Sequence, residues 1–340
     1  MDEQLYCEAM TDNAYTKQPN DFTQNIGNGS YSTADSYVKQ VWDGRYTGIR
    51  MCNQLLENID RVPDLDPELK KRYIGEAKVL RAYSYYELYT KFGDIPYTTK
   101  VLSIKESMSI ARTAKATVIA NVLADLDEVI NGNYLPTSYD ADNKGRITRW
   151  AAMAIKAKIY LFEGNWTQVK NITSTIMTEG GFKLFGSYAG LFEIANEYNS
   201  EVILDAQYRP TSREHQMMYV FLPPTLGGYS QLSPLQELVD SYIMLDGKTI
   251  KETGTSFDES HPYANRDPRL KATVMHTGNS YTLADGTEVV INCEKGEGKD
   301  GYGVGSDCSA TGYYIKKYWD NTYRATLYSG LNPILIRYAD

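Results

Sequence analysis

The sequence predicts a mainly α-helical protein, with a helical-repeat scaffold in its first half and a loop-rich second half containing minor β structure. Three observations carry this. Apolar residues recur at spacings of three and four through most of the first half, the periodicity of helices with one buried face. Short connections join these helical stretches, the plan of antiparallel helix pairs. From Glu201 onward the texture changes, and Gly, Pro, Ser and Tyr dominate.

The first helix begins near Thr33, with Val38, Val41, Trp42, Tyr46, Ile49, Cys52, Asn53, Leu56 and Ile59 in helical register before Pro63 ends the run. A second starts after Asp66-Pro67-Glu68, an N-cap residue followed by proline at the first helical position, where a missing N–H costs nothing. It runs to about Phe92, and Gly93-Asp94-Ile95-Pro96 stops it. Ala77 and Ala82 allow close packing, while Leu80 and Leu88 are expected to supply apolar area. Residues 116–130 form a third helix, 148 or 149 to 163 a fourth, and 165 or 166 to 178 a fifth.

The fourth and fifth helices fit the tetratricopeptide pattern loosely. Ala157 stands three residues before Tyr160, and Gly164-Asn165-Trp166 makes the turn. Val169 and Thr173 occupy positions where Ala and an aromatic belong. A plain helical hairpin explains the residues almost as well. Residues 202–208 read as a strand, and one helix, 233 or 234 to 242, interrupts the second half. The stretches 223–230 and 296–312 carry turn chemistry. These readings divide the chain into a helical region, 1–205, and a loop-rich region, 206–340.

The chain has 340 residues, 42% of them hydrophobic and 23% charged, a globular composition. A formal net charge of −8 disfavours nucleic acid and anionic membrane surfaces, which need clustered Lys and Arg. A neutral or cationic partner fits better. No window reaches the roughly 18 to 20 apolar residues of a spanning helix. The 29 Tyr against 8 Phe supply rings with a flat apolar face and a polar tip, suited to gripping sugars or partner proteins. The bland alternative is that many are amphipathic core residues.

Signals for chemistry are sparse. Cys7, Cys52, Cys293 and Cys308 are too scattered for a metal site; Cys293 and Cys308 flank a Gly-rich loop and are a candidate disulfide in an exported protein. No His pair has metal-ligand spacing among His215, His261 and His276. Residues 140–151 imitate a calcium loop, but Lys144 and Ala151 stand where ligand oxygens are required, so this reads as a solvated turn. Gly301-Tyr302-Gly303-Val304-Gly305 lacks the Lys-Ser/Thr and helix of a phosphate loop. Residues 1–15 show no basic segment followed by an apolar one, hence no secretory leader within this chain. No cofactor, metal or catalytic residue is expected.

Several ordered segments nevertheless resemble one family, the SusD/RagB outer-membrane nutrient-binding lipoproteins. Trp42, Tyr46, Asn53 and Ile59-Asp60 resemble its early helix. Glu76-Ala77, Leu80-Arg81-Ala82-Tyr83-Ser84-Tyr85-Tyr86-Glu87-Leu88 and Phe92-Gly93-Asp94-Ile95-Pro96 resemble its most recognisable segment. Further matches follow in order: Ala151-Ala152 with Ala157-Lys158-Ile159-Tyr160-Leu161 and Asn165-Trp166; Glu201-Val202-Ile203-Leu204; Leu238-Val239-Asp240-Ser241-Tyr242 with Asp246-Gly247; Asn265-Arg266-Asp267-Pro268-Arg269-Leu270; Lys316-Lys317-Tyr318; and Ile336-Arg337-Tyr338-Ala339-Asp340.

The resemblance implies a tetratricopeptide-like scaffold on a non-catalytic, surface-exposed outer-membrane lipoprotein. It would bind oligosaccharides or other nutrients and hand them to a SusC-like TonB-dependent transporter. A signal and lipidated cysteine open the family's members, whereas this chain starts inside the first helical region and stops where a further apolar helix is expected. It thus reads as an internal fragment whose membrane contact, a lipid anchor, is absent from the chain. Ligand contacts are expected in the loops, from Tyr219, Tyr229, Tyr302, Tyr313, Tyr314 and Trp319, with Asn13, Arg213 and His215 as hydroxyl-bonding partners. Arg266, Asp267 and Arg269 are expected to form a structural ion-paired corner. Competing readings are a peptide-binding helical scaffold and an all-helical carbohydrate-active enzyme.

Overall fold

The computed structural model describes residues 6–17, 22–321 and 327–340. The described residues form two compact units. One gathers those of 33–184 together with Ser200–Asp205 and Ile334–Asp340; the other gathers those of 1–32, Phe185–Asn199 and Ala206–Pro333. This differs from the contiguous division at 205/206. Backbone pairing is the reason, since Val202–Asp205 and Ile334–Arg337 form an antiparallel pair and Ala14–Thr16 pairs with Leu232–Pro234.

The helical unit contains α1 (Ser36–Asn58), α2 (Pro67–Phe92), α3 (Lys115–Asn131), α4 (Arg149–Phe162) and α5 (Trp166–Glu179). Each packs on the next, and α1 with α2, α2 with α3, and α4 with α5 make the most extensive contacts. Side-chain caps explain several starts: the Asp66, Thr148 and Asn165 side chains accept from the backbone N–H of Leu69, Ala151 and Gln168. Gly93 ends α2 at φ +69°, a conformation costly for other residues.

The core of this unit centres on Val79, Ala82, Tyr85, Leu88, Tyr89, Leu126, Ile155 and Ile159. Leu80 departs from expectation. It is 49% exposed, because α2 presents Val79, Arg81 and Ala82 inward and leaves Leu80 on the outer side. Inside lies a polar network. Arg81, 4% exposed, binds Asp125 on α3 and donates to the side-chain oxygen Oδ1 of Asn53 on α1, while Asn53 Nδ2 donates to the backbone carbonyls of Thr98 and Lys100.

A short helix, Ile104–Ser109, escapes the periodicity reading. It opens with a reciprocal capping box in which Ser103 Oγ accepts from Glu106 N–H and Ser103 N–H donates to Glu106.

The loop-rich unit has a core of Met217, Met218, Phe221, Leu222, Met275, Ile291 and Tyr314. Besides the expected helix, seen at Gln236–Ser241, it contains Phe22–Gly27, Met217–Phe221 and Pro268–Thr273. The expected helix is shorter at its start because Leu232–Pro234 is drawn into pairing with Ala14–Thr16. The 202–208 strand likewise ends at Asp205, where its partner strand runs out at Ile334.

Two local readings change. The Arg266 corner is held without an ion pair to Arg266: its guanidinium donates to the carbonyls of Pro262, Val239 and Tyr242. Asp267 pairs with Arg269 and accepts from its backbone N–H, capping Pro268–Thr273. Cys293 and Cys308 are both buried free thiols. The Cys308 thiol instead donates to the Lys299 carbonyl.

Candidate functional site

In the loop-rich unit, Tyr229 and Tyr302 line one open cleft of about 500 Å3. They are 46% and 41% exposed, which leaves their faces available to a ligand. Each ring follows a glycine whose missing side chain lets the backbone close tightly. A Cβ on Gly228 would stand 2.1 Å from the Leu222 carbonyl oxygen, and one on Gly301 would stand 2.0 Å from that of Glu297. The tyrosine that follows each close approach is solvent-exposed.

Long-range bonds hold the cleft's walls. Asp300, 2% exposed, accepts from Thr225 N–H at 2.8 Å, joining the 300s loop to the turn before Tyr229. Lys17 extends the pairing of Ala14–Thr16, donating its backbone N–H to Gln231 O, and its ammonium donates to Cys308 O at 2.7 Å. Burial lowers the Lys17 pKa from its ordinary value, an effect opposed by the nearby Asp307 carboxylate. Gln231, Ser306, Asp307 and Ser309 add polar lining. A ligand with both apolar faces and hydroxyls would therefore find rings and polar partners in one place.

Tyr219 stands behind Tyr229, with ring centroids 5.5 Å apart and planes 17° from parallel. Tyr328 approaches Tyr219 edge-on at 6.3 Å. The stack extends an aromatic surface from Tyr229 across the short helix Met217–Phe221.

The remaining expected residues lie elsewhere. Tyr314 is fully buried; its hydroxyl donates to Asp300 O and accepts from Ser309 N–H, bracing the 300s loop from inside. Tyr313, 8% exposed, donates to Gln236 and accepts from Tyr263. Trp319 packs edge-on against Tyr281 at 5.1 Å. Asn13 donates to Glu8, and the exposed Arg213 lies over the Tyr208 ring. His215, 6% exposed, donates from Nε2 to Leu331 O and bridges Ser329 through its backbone. None of these six lines the cleft. Lys17, Gln231 and Asp307 do, although sequence reasoning passed over them. The available signal was the turn chemistry of 223–230 and 296–312, which supplies the two walls.

Two further clefts, of about 430 and 520 Å3, lie on the helical unit. Tyr46, Arg50 and Asn53 help line the first, and Arg72, Tyr134 and Arg149 the second. Their tyrosines are partly buried, so neither cleft offers an exposed ring.

Residues 1–161 match a family described as starch-binding and associating with the outer membrane, and residues 190–340 match the SusD family. SusD-like protein P25 from Formosa agariphila is 32% identical over 166 residues, 49% of this chain and 31% of that protein. A SusD-like protein from Bacteroides ovatus is 21% identical over 251 residues, 68% of this chain and 45% of its own length. The chain thus spans less than half of these curated relatives.

Among solved structures, a SusD-like carbohydrate binding protein from Bacteroides fragilis superposes with a TM-score of 0.87 at 25% identity, over 98% of this chain and 65% of that one. A laminarin binding SusD-like protein gives 0.73 at 22% identity, over 98% and 72%. Surface glycan-binding protein A from Bacteroides uniformis gives 0.73 at 20%, over 98% and 66%. The last two are similar in fold.

Proposed function

This chain belongs to the SusD/RagB family, and from that premise we propose that it binds glycans at the Tyr229–Tyr302 cleft without cleaving them. One observation carries the reading: two exposed rings and a set of fixed polar groups share a single open cleft. A sugar presents C–H faces that lie on aromatic rings and hydroxyls that need hydrogen-bond partners, and the cleft offers both. Asp307 is the carboxylate among the cleft's lining residues, whereas hydrolysis by the usual two-carboxylate route needs a pair. Similar proteins that carry laminarin or surface glycan binding in their names support the same ligand class.

The family's description as associating with the outer membrane supports a role there. In this reading the whole protein is lipid-anchored at the cell surface and delivers an oligosaccharide or another nutrient to a SusC-like TonB-dependent transporter. An affinity gel or glycan array with a panel of polysaccharides tests the ligand class. Retention by at least one glycan is expected. Failure of a folded preparation to recognise any member, together with binding to peptides, would replace this reading with a peptide-binding one.

A further inference from the structure

Resting on the glycan reading above, we infer that the cleft is built for neutral oligosaccharides, with Lys17 and Asp307 acting together as the donor and acceptor for neighbouring sugar hydroxyls. Among the cleft's described lining residues these two are the full charges, one of each sign. The site therefore offers no surplus positive charge. A sulfated or uronate chain would bring its anion beside Asp307 and find a single ammonium already sharing a proton with the Cys308 carbonyl. Desolvating an anion is unfavourable where the one cation is already balanced by a carboxylate, and the chain's net charge of −8 adds repulsion at long range.

A neutral sugar fits both charges at once. Each hydroxyl donates one hydrogen bond and accepts others. One hydroxyl accepts from Lys17, which has two N–H groups beyond the one given to Cys308 O, and its neighbour donates to the Asp307 carboxylate. Such charge-assisted bonds are stronger than neutral ones. Lys17 is held for the task at both ends, by its backbone bond to Gln231 O and its ammonium bond to Cys308 O. Partial burial lowers the ammonium's pKa while Asp307 opposes that shift.

The test is affinity electrophoresis of the full chain in gels containing neutral glucans, mannan or xylan, and separately polygalacturonate, alginate or carrageenan. Retention by a neutral polysaccharide, unchanged between low salt and 0.5 M NaCl (about the range in which exposed charges are screened), supports the inference. So does a roughly tenfold loss in Lys17→Met and in Asp307→Asn, with unchanged melting. Asp307 is exposed, so its variant leaves the fold intact even if Lys17→Met does not. Tighter, salt-sensitive retention by the polyanions would overturn the inference. So would neutral binding that Tyr229→Ala and Tyr302→Ala abolish but Lys17→Met and Asp307→Asn leave untouched; the cleft would stand and the charge pair would not. Neutral binding indifferent to the tyrosine variants would instead overturn the underlying site.

Discussion

Arg81 and Asp125 meet inside the helical unit, the carboxylate lying 2.6 Å from one terminal guanidinium nitrogen and 3.2 Å from Nε. Arg81 also donates to Asn53, so one buried cation ties α2 to both neighbouring helices. The segment whose wording most clearly resembles a family thus does scaffold work. Arg81→Leu takes the donor from Asn53 Oδ1 and leaves Asp125 with Lys78, 3.5 Å away, as its remaining cation. Removing one partner of a buried pair costs about 3 to 5 kcal/mol. Urea unfolding should show a loss in that range, and the double variant Arg81→Leu/Asp125→Leu should recover part of it. A single-variant loss below about 1 kcal/mol would count against the network.

His276 makes stability depend on pH in a defined direction. Its ring is stacked on Tyr263 at 3.6 Å, its Nδ1 donates to Thr277 O, and its Nε2 accepts from the Asn279 amide. Burial lowers its pKa, and Lys271 pushes the same way. The folded state therefore favours the neutral ring. Its contribution is fully present above the unfolded value of about 6.5 and is lost as pH falls through the lower folded value. Urea midpoints compared at neutral and mildly acidic pH should fall less in His276→Gln than in the parent. An equal fall would remove His276 from the account.

Thiol reactivity checks the buried cysteines. Burial pushes the Cys293 thiol up to about 12 and raises that of Cys52. At pH 8 iodoacetamide should leave both unmodified in the folded protein, because the thiolate is the reactive form. In denaturant without reductant all four cysteines should be alkylated. A disulfide-linked peptide joining Cys293 to Cys308 in the mass spectrum would contradict the free thiols.

The long helices were legible because their signals are local. Asp66-Pro67, Thr148 and Asn165 cap within their own turns, and buried residues recur at three and four along α1 and α3. The site was legible only in part. Tyr302 and Tyr314 are the same residue type in neighbouring stretches, yet one is 41% exposed and the other fully buried. Tyr314 is fixed by Asp300 and Ser309, and Tyr302 follows the tight backbone closure at Gly301, neither of which periodicity reports. Lys17 reaches the cleft through pairing with a strand more than two hundred residues away in sequence. Such distant pairing leaves no local trace.

The aromatic surface predicts a dependence on glycan length. Beyond the cleft, Tyr219 and Tyr328 continue from Tyr229. Affinity should rise with oligosaccharide length until these rings are covered. Tyr328→Ala should weaken long oligosaccharides severalfold and leave the shortest binders unchanged, as calorimetry over a length series would show. Equal losses at all lengths would confine the ligand to the cleft itself.

The most direct test is isothermal titration calorimetry of the Tyr229→Ala/Tyr302→Ala double variant against the glycan that the parent protein retains. Covering on the order of 50 Å2 of each ring at about 25 cal/mol per Å2 is worth about 1.3 kcal/mol, close to tenfold in Kd per ring. The double variant should therefore bind about a hundredfold more weakly with an unchanged melting temperature. Binding at the parent's affinity by the folded double variant would contradict the assignment of this cleft as the glycan site.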